Sequence, residues 1–327
     1  MDLRDRALGA LVGLAVGDAL GMPTQTLSRG EIAAAGGVTG FRAAPDEHPL
    51  AHGLPAGHVT DDTDQALLLA DLLIEGRGRV DPALLAQRLG EWEDRMRAAG
   101  SLDLLGPSTR AAVQAVRQGV PPEFAGATGT TNGAAMRIAP VGVACAPDDP
   151  LLLDRVEAAC LVSHHTSVAI SGAAAVAAAV SAGVEGMGLA PAFAFALDAA
   201  RAAASLGGWV AGAEVAARML WAADLALQDD AARAVDGVVA LIGTSLATQE
   251  SVPAAFAMLL LHPEDPWAAC CAAAALGGDT DTIAAMTGAM AGALHGASAF
   301  PADAVSTVLH VNGLDLERRA DALLALR

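Results

Sequence analysis

The sequence predicts an all-α fold, and three properties of its composition and patterning support this prediction. Hydrophobic residues make up 54% of the 327 residues, much of that share is alanine, aromatic residues amount to 3%, and there is no tyrosine. Alanine is the best helix former, whereas strands favour aromatic and β-branched residues. Apolar residues recur at helical spacing, and alternating strand patterns are nearly absent. We therefore expect one domain over residues 1–327, built as an orthogonal bundle of helices.

Apolar periodicity, taken along the chain, predicts roughly fourteen helices. Their ranges are 3–20, 64–74, 82–99, 108–118, 151–162, 168–182, 191–204, 210–226, 231–242, 253–261, 266–276, 282–296, 302–309 and 316–326. Four of these helices are predicted to begin on a proline, because the N–H of a first helical residue would be unpaired anyway. These prolines are Pro82, Pro191, Pro253 and Pro266.

Three apolar stretches raise the question of a membrane or a signal segment. The first, 3–20, is flanked by acidic and basic residues and contains Asp18, so we interpret it as a buried helix. The other two, 168–183 and 287–299, are shorter than the ~20 residues that span a bilayer. We expect interior helices and no membrane association.

Charge and cysteine content argue against several kinds of binding partner and structural site. The 19 Lys and Arg residues against 37 Asp and Glu give a formal charge of −18, which disfavours nucleic acids and anionic membranes as partners. The four cysteines form no CxxC pair, so neither disulfides nor structural zinc is expected. A reducing cytoplasm fits this cysteine usage best. We further expect a monomer.

An acidic segment, residues 58–64 (HVTDDTD), precedes an apolar helix. One interpretation is helix capping, since hydroxyl and carboxylate side chains accept hydrogen bonds from the first N–H groups of a helix. A second segment, residues 277–282 (GGDTDT), also stands at a helix start and repeats the pattern far away in sequence. Capping does not require this repetition.

Together the two segments offer enough oxygen ligands to share two hard divalent cations. So many neighbouring carboxylates would repel one another unless cations neutralise them or their pKa values rise. We expect a binuclear cleft, with Thr280 directed away from it. The predicted ligands are Thr60, Asp61, Asp62, Asp279, Asp281 and Thr282.

Two weaker motifs follow. Residues 130–137 (TTNGAAMR) are typical of a turn entering a helix, where backbone N–H groups could also hold a phosphate. Residues 163–167 (SHHTS) contain the adjacent pair His164 and His165. Either histidine could contact a ligand or cap the preceding helix.

These motifs, with the opening GLAVGDALG at residues 13–21, resemble the ADP-ribosylglycohydrolase family and occur in family order over roughly residues 6–300. The resemblance implies an all-α bundle with two Mg²⁺ or Mn²⁺ ions, the six ligands named above, and hydrolysis at ribose C1″ of an ADP-ribosylated residue or small conjugate. It also assigns substrate contacts to Asn132, Gly133, Met136, His164 and His165.

For catalysis we expect Asp62 to relay a proton, with Asp103 as the second candidate. Arg137 or Arg110 would supply positive charge beside the phosphates. Many members carry Pro-x-Glu after the opening motif, whereas here Gln25 stands in the place of that acid and would contact the substrate.

Three alternatives remain at this stage. The chain could hydrolyse a different N- or O-ribosyl compound, a possibility that Gln25 favours. It could bind ADP-ribose without cleaving it. It could also be a structural protein whose acidic segments only cap helices.

Overall fold

A computed structural model describes residues 2–102 and 105–327 of the chain. Within these ranges it contains eighteen α-helices and no β-strand, which confirms the all-α prediction. The helices are α1 Leu3–Gly21, α2 Arg29–Ala34, α3 Asp61–Glu75, α4 Pro82–Ala98, α5 Pro107–Arg117, α6 Pro122–Ala125, α7 Gly133–Met136, α8 Ala139–Ala144, α9 Leu152–Cys160, α10 Ser167–Glu185, α11 Leu189–Ala203, α12 Val215–Ala226, α13 Ala231–Gly237, α14 Thr248–Leu261, α15 Pro266–Ala274, α16 Thr280–His295, α17 Ala302–Asn312 and α18 Leu316–Leu324. A π-helical turn, Val238–Ile242, follows α13.

The described residues form eighteen α-helices, four more than the roughly fourteen that periodicity predicts. Each predicted range has an observed counterpart, and the four additional helices of the described residues are α2, α6, α7 and α8, which have four to six residues each. A helix shorter than two turns cannot display the 3.6-residue apolar period, so its pattern is indistinguishable from that of a loop.

Two of the four helices that are predicted to begin on a proline begin elsewhere, so these two predictions are wrong. Pro82 and Pro266 open α4 and α15 as expected, but α11 begins two residues before Pro191, and Pro253 lies inside α14. The Thr248 hydroxyl donates to the Thr130 carbonyl oxygen over 2.9 Å and anchors the start of α14. A tertiary contact therefore sets this boundary.

The first helix packs antiparallel along α16, and glycines make this contact possible. Four glycines at four-residue spacing form one face of α1, which we call the glycine ridge: Gly9, Gly13, Gly17 and Gly21. A Cβ added at these positions would lie 1.9 to 2.4 Å from backbone atoms of α16. Since no side chain fits there, the helices approach at backbone contact and bring the C-terminal end of α1 beside the N-terminus of α16.

A large apolar core extends through the described residues and includes α10, which is buried along nearly its whole length. By length and composition the segment Leu3–Thr24 and the helix Ser167–Glu185 could each cross a membrane, but 94% and 100% of their apolar windows are buried inside the molecule. The third apolar stretch, around residues 287–299, lies mainly in α16 and is likewise largely buried. In this fold all three serve as core.

Candidate metal and substrate cleft

The two acidic segments, which are more than 200 residues apart in sequence, meet in the structure. Asp61 and Asp62 occupy the first turn of α3 behind the N-cap Thr60, and Asp279 is the N-cap of α16. The Thr282 hydroxyl donates across the junction to Asp62 Oδ2 over 3.2 Å. Both helix N-termini thus direct their positive ends towards the same group of carboxylates.

Asp18 of α1 orients the first acidic segment, although it is not among the site residues that the sequence predicts. Its buried carboxylate accepts from the backbone N–H of Thr60 at 3.0 Å and of Thr63 at 3.1 Å, and from both of their hydroxyls. Burial raises the pKa of Asp18 to about 6, and these hydrogen bonds partly oppose the shift. In the sequence Asp18 is an acid inside an apolar run. Such a pattern predicts that the carboxylate is buried with a hydrogen-bond partner, but it does not identify the partner.

Asp62 lies at the centre of the carboxylate group. Its pKa is raised well above the ordinary value, first by burial and then by repulsion from the other acids. These acids are Asp281, Asp61, Asp18 and Asp279. Within the described part of the chain nothing donates a hydrogen bond to Asp62 Oδ1, although this atom is buried. A buried carboxylate oxygen without a donor, among other carboxylates, is the environment that a hard cation stabilises.

The second acidic segment is tied to residues 130–137. Asn132 donates from Nδ2 to Asp279 Oδ2 and to Ser251 Oγ, which lies 3.0 Å away. Burial raises the pKa of Asp279 to about 6, while the hydrogen bonds from Asn132 and Thr282 lower it. Asn132 therefore holds a predicted ligand in place.

The paired glycines before Asp279 adopt backbone conformations that only glycine adopts readily. Gly277 and Gly278 have φ values of 83° and 82°, and a Cβ on Gly278 would lie 2.4 Å from the Thr244 carbonyl oxygen. The Thr280 hydroxyl donates to the Gly21 carbonyl oxygen at 3.1 Å. This contact turns Thr280 towards α1 and the glycine ridge.

Most of the predicted site residues line one cleft with a volume of about 190 Å³. Those that do are Gln25, Asp61, Asn132, Gly133, Met136, Asp279, Asp281 and Thr282, together with Thr131, Arg110, Leu102 and Leu246. Gln25 is 4% exposed, and its Nε2 has no hydrogen-bond acceptor among the described residues. An unpaired amide donor beside the acidic segments is suited to a hydroxyl or carbonyl oxygen of a ligand.

The entrance to α7 is tightly packed. A Cβ on Gly133 would lie 2.9 Å from His164 Cε1 and 3.2 Å from Thr109 Oγ1, so only glycine fits. The helix has four residues, too few for a substantial dipole. Its contribution to the cleft is therefore local backbone and side-chain contact.

The predicted histidines do not line this cleft. His164 is fully buried and lies 3.0 Å from Thr131 Oγ1, through its Nε2, and 2.8 Å from Ser163 Oγ, through its Nδ1. Burial and the nearby Arg137 lower its pKa well below the ordinary value. His165 pairs with Glu157 at 2.9 Å. His164 thus supports a wall of the cleft from behind.

Two other predictions end differently. Of the two arginines expected beside the phosphates, Arg137 is 0% exposed and does not line the cleft, whereas Arg110 lines it and pairs with Glu93 at 3.1 Å. Asp103, the second catalytic candidate, lies outside the described residues.

Within the described ranges no three His, Cys, Asp or Glu side chains already stand together at metal-ligand spacing.

Comparisons with known proteins identify the family. The sequence model of the ADP-ribosylglycohydrolase family matches residues 1–327. An uncharacterized protein of Escherichia coli (strain K12), YegU, is 36% identical over 326 residues, which cover 99% of this chain and 97% of that protein. The ADP-ribosylarginine hydrolase Tri1 of Pseudomonas putida (strain GB-1) is 35% identical over 150 residues, which cover 42% of this chain and 36% of that protein.

A solved structure, described as an ADP-ribosylglycohydrolase-related protein complex, matches with a TM-score of 0.73 and 28% identity over 99% of both chains. Sequence and fold agree along the whole chain, and the resemblance seen in the motifs is confirmed. The chain therefore belongs to the ADP-ribosylglycohydrolase family and is, as its members are, a glycosidic-bond hydrolase.

Proposed function

We propose that this hydrolase cleaves the bond at ribose C1″ of ADP-ribosylated residues or small ADP-ribose conjugates and requires two divalent cations, Mg²⁺ or Mn²⁺. One observation carries the proposal: two acidic helix N-termini meet at the hydrogen bond from Thr282 to Asp62. Asp61 and Thr282 of these termini line a cleft that also contains Gln25 and Asn132. Such a site places oxygen ligands for cations close to polar side chains that can bind a sugar.

The residues present fit the cations. The donors are carboxylate and hydroxyl oxygens, which hard divalent ions prefer, and the buried Asp62 Oδ1 accepts no hydrogen bond from the described residues. The side chains that would hold the ions are Thr60, Asp61, Asp62, Asp279, Asp281 and Thr282. Divalent cations bound there would act as Lewis acids and lower the pKa of water, so that hydroxide is available as a nucleophile near neutral pH.

The other tasks fall to side chains around this group. We assign the relay of a proton from the attacking water to Asp62 first and to Asp103 second. Gln25 would donate to a ribose oxygen, Asn132 keeps Asp279 oriented, and the absence of a side chain at Gly133 lets the chain pack against His164.

The choice of substrate rests on the family and on the relative that is named for ADP-ribosylarginine. The formal charge of −18 is compatible with a cationic acceptor such as arginine. Arg110 is the cation of the described lining that could approach a phosphate, although Glu93 shares its charge.

The test is hydrolysis of ADP-ribosylarginine by the purified chain with Mg²⁺ or Mn²⁺. We expect release of ADP-ribose that stops on chelation and falls by ~10³-fold or more in Asp279→Ala and Asp281→Ala. Asp198→Ala is the matched control, because Asp198 is an exposed acid on α11. Undiminished turnover after chelation would refute the metal requirement.

Gln25 supports a second candidate, hydrolysis of a different N- or O-ribosyl compound. Many family members have a glutamate at this position, and an amide cannot serve as a base in its place. Any step that this glutamate assists must therefore proceed differently in this chain. A panel of nucleosides and ADP-ribose conjugates would identify the preferred substrate. Tight binding of ADP-ribosylarginine, with the ligand recovered intact after long incubation, would instead indicate a binding protein.

A further inference from the structure

Arg137 is a buried cation for which the proposed function has no task. Its side chain is 0% exposed, and burial lowers its pKa to about 10, while the nearby Asp61 opposes the shift. Among the described residues Nε has no acceptor. Burying a guanidinium with an unpaired N–H is costly, so the fold must gain something from its other contacts.

One contact leads to the first acidic segment. Arg137 Nη1 donates to Gln65 Oε1 over 3.2 Å, and Gln65 Nε2 donates to Asp61 Oδ2 over 2.6 Å. These two bonds fix which end of the Gln65 amide faces which partner, since its oxygen meets the guanidinium and its nitrogen meets the carboxylate. Gln65 stands one turn after Asp61 on α3, so the relay is short and rigid.

A second contact leads through Ser163 and His164 to another residue of the cleft lining. Arg137 Nη2 donates to Ser163 Oγ over 2.6 Å, Ser163 Oγ lies 2.8 Å from His164 Nδ1, and His164 Nε2 lies 3.0 Å from Thr131 Oγ1. Thr131 and Asp61 both line the cleft. One buried guanidinium is thereby joined to two residues of the cleft lining.

We propose that Arg137 is a positioning residue that acts through Gln65 to hold Asp61 in the orientation a divalent cation requires, and through Ser163 and His164 to hold Thr131 in the cleft lining. This inference rests on the metal requirement of the proposed function. Arg137 does not touch substrate in this role, because its guanidinium is enclosed.

The test measures Mn²⁺ binding to the purified chain by calorimetry, without substrate. Gln65→Met keeps the length of the side chain and removes both amide hydrogen bonds. Arg137→Lys keeps a charge but loses the planar fork that reaches Gln65 and Ser163 together. We expect each to raise the Kd for Mn²⁺ by ~10- to 100-fold, as the loss of groups that orient metal ligands does.

Arg327→Met is the matched control. Arg327 is another arginine with little exposed surface, 7% of its side chain, and it donates to the carbonyl oxygens of Val143 and Cys145 away from the cleft. This variant should lower the thermal stability and leave the Kd for Mn²⁺ within about twofold of the wild type. Melting in EDTA verifies that every variant is folded, and Arg137→Lys and Gln65→Met test the same relay independently.

The outcomes separate the two claims. If the wild type binds no Mn²⁺, the metal requirement and this inference both fail. If the wild type binds Mn²⁺ and both variants bind it equally well, or if Arg327→Met weakens binding as much as they do, this inference alone is overturned. Weakened Mn²⁺ binding in both variants, with no cleavage of any ribosyl substrate, would support the inference and refute the proposed reaction.

Discussion

Gly17→Ala should destabilise the protein severely, because the glycine ridge leaves no room for a side chain. The added Cβ would lie 1.9 Å from the Ala284 carbonyl oxygen and 2.5 Å from its carbonyl carbon. To restore ordinary contact α16 would have to retreat by about 1.5 Å along a whole helix face. Both atoms belong to the backbone of a buried helix, so neither can rotate away.

The expected loss is about 3 kcal/mol or more in the free energy of unfolding, the upper part of the range for overpacked cores. At roughly 2 °C per kcal/mol for a chain of this size, the Tm should fall by about 6 °C. Affinity for Mn²⁺ should fall too, because α16 carries Asp279 and Asp281. Thermal melting in EDTA and calorimetry with Mn²⁺ measure the two effects.

Gly30→Ala is the control. Gly30 is an exposed glycine of α2, and an added Cβ would meet only Ser28 Oγ at 3.9 Å. Alanine is the better helix former, so this variant should gain about 0.5 kcal/mol. If Gly17→Ala melts at the wild-type temperature, α1 and α16 are not in the close backbone contact described above.

Three further predictions concern the carboxylates and Gln25. The pKa values of Asp18 and Asp279 are raised to about 6. Between about pH 4 and 6 the folded, metal-free chain therefore binds more protons than the unfolded chain. The free energy of unfolding of the metal-free chain should accordingly fall as the pH rises from about 4 to 6. The Tm increase caused by Mn²⁺ should therefore be larger at about pH 7.5 than at about pH 5; an equal increase at both would contradict it. Asp62→Asn removes a buried, repelled carboxylate, so its Tm in EDTA should equal or exceed that of the wild type while Mn²⁺ binding is lost; a lower Tm in EDTA would show that Asp62 is not under electrostatic stress. Gln25→Glu places a carboxylate in the cleft and should raise turnover of ADP-ribosylarginine by ~10-fold or more if an acid at this position assists the reaction, and unchanged kcat would exclude that role.

The sequence identified the acidic segments because their chemistry is local. Carboxylates and hydroxyls in two helix-start segments predict oxygen ligands whatever the intervening chain does, and the structure brings them together at Asp62 and Thr282. The role of Asp18 escaped prediction because its partners Thr60 and Thr63 lie 42 and 45 residues away. Only the packed fold shows that they meet.

Arg137 and the short helices escaped prediction for a related reason. An arginine beside a turn motif is usually solvated, and its enclosure depends on Gln65, Ala159 and Ser163, none of which is a neighbour in sequence. The short helices α2 and α6 to α8 contain too few residues for an apolar period. Apolar periodicity predicts the long helices, whereas tertiary contacts determine the short helices and the burial of polar side chains.

The glycine ridge also constrains when the cleft can form. Gly17 contacts Ala284, so the decisive packing joins segments separated by most of the chain, and such contacts carry a high entropic cost of loop closure. During synthesis α1, which contains Asp18, emerges long before α16 does. Until α16 arrives, α1 presents an apolar helix with a bare backbone face. We therefore expect the nascent chain to depend on protection from aggregation until late in its synthesis, and the cleft to be among the last parts of the molecule to form.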